Sequence, residues 1–147
     1  MSKYNLQFFS PGKILSKIRS RIIQTIKTMA DKVQEFNAYR AKMNEKILAH
    51  DNKVLRRFFN LDTNAYKDGA LPSKTKELLG LIASMVLRCD DCIAYHLGKC
   101  HEQGVTKDEV FEVFAIANLV GGSICIPHTR RAVEYWEALE KGVTEII

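Results

Sequence analysis

Apolar residues recur along this chain at intervals of three and four, and no segment alternates with the period of two that a half-buried strand requires. That pattern predicts an all-α fold. Ile14, Leu15, Ile18, Ile22, Ile26 and Met29 make one stripe, and Val33, Phe36, Met43 and Ile47 continue at helical spacing. Ser10-Pro11-Gly12 breaks the chain before them. One helix is expected from Lys13 to about Ala30 and another from Asp31 to Ala49, or a single long bent helix in their place. Val54, Leu55, Phe58 and Phe59 predict a short helix or turn packed on the core. Asn60 to Pro72 is polar and turn-rich. It divides a basic N-terminal helical arm, residues 1–60, packed on or beside the core, from a catalytic helical unit, residues 61–147, within one structural domain overall.

The second half is punctuated by local signals. Ser73 is expected to cap a helix whose apolar face holds Leu78, Leu79, Ile82, Ala83 and Val86. A break falls near Arg88 to Asp90, because two aspartates suit a first helical turn. The next helix should stop at Gly104. Thr106 and Glu109 have the spacing of a capping box. Gly121-Gly122 interrupts the apolar helix that follows, and Pro127 suits the first turn of a last one carrying Trp136 and Leu139.

Charge is unevenly spread. Residues 1–60 hold thirteen Lys/Arg against four Asp/Glu, and residues 61–147 hold nine against thirteen. The first thirty residues contain no acid at all. The arm reads as a structural or oligomer-packing helix with a solvated basic face, and weak membrane-surface binding is the lesser reading. No nucleic-acid motif accompanies the basic residues, so no specific nucleic-acid partner is expected. No run of eighteen apolar residues occurs, so no transmembrane segment is expected. Four cysteines, two of them in C-x-x-C, suit a reducing cytoplasmic setting better than a secreted disulfide scaffold.

The chemistry concentrates in Cys89-Asp90-Asp91-Cys92-Ile93-Ala94-Tyr95-His96. On a helix, Cys89 and Cys92 lie one turn apart on one face, and His96 lies one turn beyond Cys92. Two thiols and an imidazole so placed read as dithiol redox chemistry, since helix N-termini and imidazoles favour the thiolate. A zinc site from Cys89, Cys92, His96 and Cys100 is the competing reading. It fails on a continuous helix, where Cys89 and Cys100 lie roughly 16 Å apart. No metal is expected. Glu77 is a candidate general base. Asp91, Tyr95 and His128 are candidate pocket residues, with the apolar faces around Leu78 and Ile82, and Cys100 and Cys125 read as buried small hydrophobes.

From about Lys76 to Leu139 the chain resembles the carboxymuconolactone decarboxylase/alkylhydroperoxidase D-like family. The residues that carry the likeness are Glu77, Cys89-x-x-Cys92-x-x-x-His96, Gly104-Val-Thr-x-x-Glu109 and Gly121-Gly122. Arg57 to Asp62 and the segment GGSICIPHTRRA, Gly121 to Ala132, add to it. The resemblance implies a helical bundle assembling as a homo-oligomer, a trimer or hexamer. It implies a thiol-dependent oxidoreductase that reduces small hydroperoxides or partner disulfides through a redox-active Cys89–Cys92 disulfide. No further cofactor is implied, and an external dithiol or partner redox protein is the reductant. Cys92 would be the nucleophile, Cys89 the resolving thiol and the more open of the two, and Glu77 with His96 the proton relay. Redox members of the family carry a histidine just before the second cysteine, where this chain has Asp91. Two other functions compete: a lactone- or acid-processing decarboxylase, and a non-enzymatic helical binding module.

Overall fold

The computed structural model describes residues 11–144, with the side chains of 11, 25–30, 143 and 144 left out of the description. Lys3, Ser10 and the side chains of Ile26, Lys27 and Met29 therefore lie outside the described residues. The described residues form six α-helices and no strand. These are α1 (Pro11–Ala49), α2 (Lys53–Ala65), α3 (Ser73–Leu87), α4 (Asp90–Glu102), α5 (Lys107–Gly121) and α6 (Ile126–Thr144), with a 3₁₀ turn at Ser123–Cys125 before α6.

The core lies where α3, α4, α5 and α6 meet. Leu81 and Met85 of α3, Leu97 and Cys100 of α4, Val110 and Ala117 of α5 and Trp136 of α6 are all essentially inaccessible. Leu78 and Ile82 pack against this cluster, so their apolar faces serve the core rather than a pocket.

The α3–α4 corner positions the chemistry. Past the end of α3, Arg88 takes a left-handed conformation, φ 61° and ψ 39°. The Arg88 N–H bonds the Met85 carbonyl at 3.1 Å, and the Cys89 N–H reaches back to the Ser84 carbonyl at 3.1 Å. That pair of bonds is the Schellman arrangement, here with arginine where glycine is usual. It fixes Cys89 as the next residue to turn, and Cys89 is the N-cap of α4. Gly104 closes α4 in the same way at φ 69°, with the Val105 N–H on the Cys100 carbonyl at 3.0 Å. The Thr106–Glu109 capping box is formed in full at the start of α5.

Of the two expectations for the arm, the single long helix is the one formed, α1, because no proline or glycine stands between Lys13 and Ala49. The arm's helix also reaches the core: α1 packs along α6, with a Lys32–Glu134 ion pair at 2.6 Å and Phe36 edge-on to Tyr135. α2, expected to pack on the core, has no buried residue, and Val54, Phe58 and Leu61 are largely exposed. Its start is set by Asn52, whose side-chain oxygen accepts the Val54 and Leu55 N–H groups at 3.0 Å. Ser73 is the first residue of α3 rather than its side-chain cap. Its N–H is taken by Asp68 and its hydroxyl accepts from Gln103.

Candidate active site

Glu77 and His96 face each other across the packed pair α3 and α4. The Nδ1–H of His96 donates to the Glu77 carboxylate at 2.7 Å. The carboxylate side chain is 3% exposed and the imidazole 9%. A buried carboxylate needs such a donor. With Nδ1 holding the proton, neutral His96 keeps Nε2 as an acceptor for a second one.

Two residues outside the sequence-based expectation frame that ring. A Cβ on Gly80 would stand 2.6 Å from Cε1 and 2.8 Å from Nε2 of His96, and 2.8 Å from the Tyr66 hydroxyl. Only glycine lets the imidazole and the phenol approach α3 so closely. The Tyr66 and Tyr95 rings lie 5.3 and 5.2 Å from that of His96, centroid to centroid. Burial, and then the Glu77 charge, push both tyrosine hydroxyls above their usual range.

Cys89 and Cys92 are joined by a disulfide, Cα to Cα 5.3 Å. Cys89 stands before the helix and Cys92 within its first turn, so the pair brackets the N-terminus of α4. The Cys92 N–H points to the Cys89 sulfur at 3.4 Å. Both sulfurs therefore sit in the positive end of the helix field, which favours thiolates. Cys92 is exposed and Cys89 half-buried. This reverses the accessibility implied by the family resemblance, because Cys89 is tucked into the α3–α4 corner.

A cavity of about 340 Å³ opens over the disulfide. Asp91, Cys92, Tyr95 and His96 of α4 line it, joined by Asp62 of α2. The opposite wall is α1, with Phe36, Tyr39, Arg40, Met43 and Asn44. The Arg40 guanidinium lies 4.0 Å over the centre of the Tyr95 ring. Of the three candidate pocket residues, Asp91 and Tyr95 line this cavity. His128 instead pairs with Asp90 at 2.7 Å, and Arg131 joins them at 3.0 Å, clamping α4 to α6. Burial pushes the Asp90 carboxyl up, but the hydrogen bonds and charges of His128 and Arg131 outweigh it and hold the group below its ordinary value.

Cys100 and Cys125 are fully buried, and burial pushes the Cys100 thiol up to about 12. Among the described residues, no three His, Cys, Asp or Glu side chains converge as a metal site would require. None of the described helices is long and apolar enough to cross a membrane. A larger cavity of about 660 Å³, lined by Asn118, Ser123, Ile126, Thr129, Arg130 and Val133, contains no thiol, imidazole or carboxylate.

Residues 52–138 match the model of the carboxymuconolactone decarboxylase family. A solved Thermotoga maritima structure is 50% identical, with a TM-score of 0.75, covering 76% of this chain and 98% of that one. A second Thermotoga maritima structure, of a family protein for which involvement in antioxidative response is suggested, is also 50% identical, with a TM-score of 0.73 over 76% and 94% of the two chains. The apo structure of a Legionella pneumophila member of the family is 29% identical, with a TM-score of 0.64 over 76% and 96%. An uncharacterised Cupriavidus necator protein is 32% identical over 51% of this chain, and the chain spans 66% of that protein's length, just under two thirds.

Proposed function

The chain belongs to the carboxymuconolactone decarboxylase family, and from that premise we propose that it is a thiol-dependent oxidoreductase. One observation carries the reading. The Cys89–Cys92 disulfide opens into the same cavity as an imidazole whose far nitrogen is fixed by a buried carboxylate. The antioxidative involvement suggested for the Thermotoga maritima relative points the same way.

In the reduced protein, His96 takes the Cys92 proton, and the imidazolium is stabilised by Glu77. The Cys92 thiolate attacks the outer oxygen of a hydroperoxide. The O–O bond breaks, Cys92 becomes a sulfenic acid, and the leaving alkoxide takes the proton from His96. The Cys89 thiol then gives up its proton and attacks the Cys92 sulfur, forming the disulfide, and the departing hydroxide takes that proton and leaves as water. A disulfide substrate follows the same path, with a thiol as the leaving group. For regeneration, an external dithiol attacks Cys92, the exposed sulfur, and expels Cys89 as a thiolate at the helix N-terminus. The second thiol of the reductant then frees Cys92.

The test is a thiol titration of the reduced protein before and after one equivalent of hydrogen peroxide, with mass spectrometry of the peptide holding Cys89 and Cys92. Two of the four thiols should be lost and that peptide should carry the disulfide, while buried Cys100 and Cys125 stay reduced. Four unreactive thiols would overturn the proposal. Lactone turnover that survives replacement of both Cys89 and Cys92 would favour the decarboxylase reading instead.

A further inference from the structure

The cavity over the disulfide carries an uneven charge. Asp62 enters it from α2 and Asp91 from the first turn of α4, and neither is among the ion pairs of the described residues. Both residues are exposed at the cavity. The neighbouring Asp90 is different, since His128 and Arg131 neutralise it on the α6 side. Among the described residues, Arg40 is the one Lys or Arg in the lining, and the face of its guanidinium lies on the Tyr95 ring. Behind the wall, Glu77 adds a third carboxylate, shared with His96. A molecule approaching Cys92 therefore passes two carboxylates that stand outside those ion pairs, against one guanidinium already engaged with the Tyr95 ring.

We infer that this cavity selects against anionic substrates and admits uncharged or cationic hydroperoxides and disulfides, with Asp62 and Asp91 setting the preference. The inference rests on the dithiol reading given above. It concerns which molecules reach Cys92, whereas that reading concerns what Cys92 does. Clefts lined by one sign of charge change encounter rates by tenfold or more at low salt. Partly exposed charges of this kind lose their effect within a Debye length as salt rises.

Thiol–disulfide exchange gives a direct measure, because substrate charge can be varied around one reaction. The Cys92 thiolate attacks one sulfur of the substrate, its S–S bond breaks, and one thiol leaves. The Cys89 thiolate then attacks Cys92 and releases the second thiol. Two electrons pass from the protein dithiol to the substrate.

The experiment follows oxidation of the reduced full chain by three disulfides: cystamine, a dication; 2-hydroxyethyl disulfide, uncharged; and dithiodiglycolate, a dianion. Each rate is divided by that of 2-mercaptoethanol with the same disulfide, which removes the leaving-group contribution. At low ionic strength, the normalised rate with cystamine should exceed that with dithiodiglycolate by roughly tenfold, and the ratio should approach unity in 1 M salt. Asp62→Asn and Asp91→Asn should each lower the ratio, and Arg40→Ala should raise it. A ratio within twofold of unity, one favouring the dianion, or one unmoved by both asparagine variants would overturn the inference. If the uncharged disulfide reacts while the ratio is flat, only the selectivity fails. If neither the three disulfides nor hydrogen peroxide oxidises the protein, the dithiol reading fails and takes the inference with it.

Discussion

His96 is constrained on both edges, by the Glu77 carboxylate at Nδ1 and by the bare backbone of Gly80 beside Nε2. Gly80→Ala would place a methyl group inside both the imidazole and the Tyr66 hydroxyl. The ring would have to move, at a cost of about 1–3 kcal/mol in stability. We expect the variant to fold with a lowered thermal midpoint and to form the Cys89–Cys92 disulfide with peroxide at least ~10-fold more slowly, a part of the roughly 10²–10⁴-fold that general acid–base assistance supplies. Wild-type kinetics in this variant would remove the imidazole from the proton transfer. At this scale the sequence was partly legible. The cysteine pair and His96 stand within eight residues and announce themselves by spacing, whereas Glu77 was a candidate base by residue type and only the family resemblance paired it with His96. Tyr66, Gly80, Asp62 and Arg40 come from three other helices and a turn, and only tertiary packing brings them together. Arg40 left one trace: it interrupts the apolar stripe between Phe36 and Met43, where a solvated arginine would be out of place.

At the scale of elements, α4 is held at its start by the Asp90 clamp to α6. The Asp90 carboxyl lies below its ordinary value of 3.8, so the folded state favours its charged form. The clamp therefore contributes stability above that value, and the contribution is lost as pH falls through the lower folded value. With a carboxylate 48% exposed, the effect should stay under ~1 kcal/mol. Thermal midpoints of wild type and Asp90→Asn should differ by a constant small amount at neutral pH and converge below pH 3.8. A difference that persists undiminished at lower pH would show that the charge is not what matters. Helix ends were the most legible elements, because a cap is a local bargain between a side chain and the nearest backbone: Thr106, Gly104 and Pro127 all stand where the sequence put them. The position of α2 was not legible. Its apolar residues at 54, 55, 58 and 61 have helical spacing, but periodicity cannot say whether a face is covered.

Over the whole molecule, α1 has two roles along one axis. Its 39 residues extend about 58 Å at 1.5 Å per residue. From Phe36 to Asn44 it walls the cavity, while Ile14, Leu15, Ile18, Ile22 and Ile23 near its start remain exposed. Removing residues 1–30 should therefore leave the rate of disulfide formation by hydrogen peroxide within about twofold of wild type, since the wall from Phe36 to Asn44 survives. Removing residues 1–49 also deletes Phe36, Arg40 and Met43 and should change that rate at least ~10-fold, consistent with losing groups that position the reactants. Equal rates in the two truncations would show that α1 plays no part in the chemistry. The charge asymmetry between the halves was plain in the sequence. That the basic half would close over the cysteines of the other was not, because α1 and α4 are joined through space alone.

Cys89 ends one helical turn and begins another, and it is also the atom pair's deeper partner. Its sulfur receives the amide of Cys92 while its own amide completes the last turn of α3. If the pair cycles as proposed, the Cys92 amide loses or keeps its sulfur acceptor with the state of the bond, and its exchange of hydrogen with water is expected to differ between the oxidised and the reduced protein.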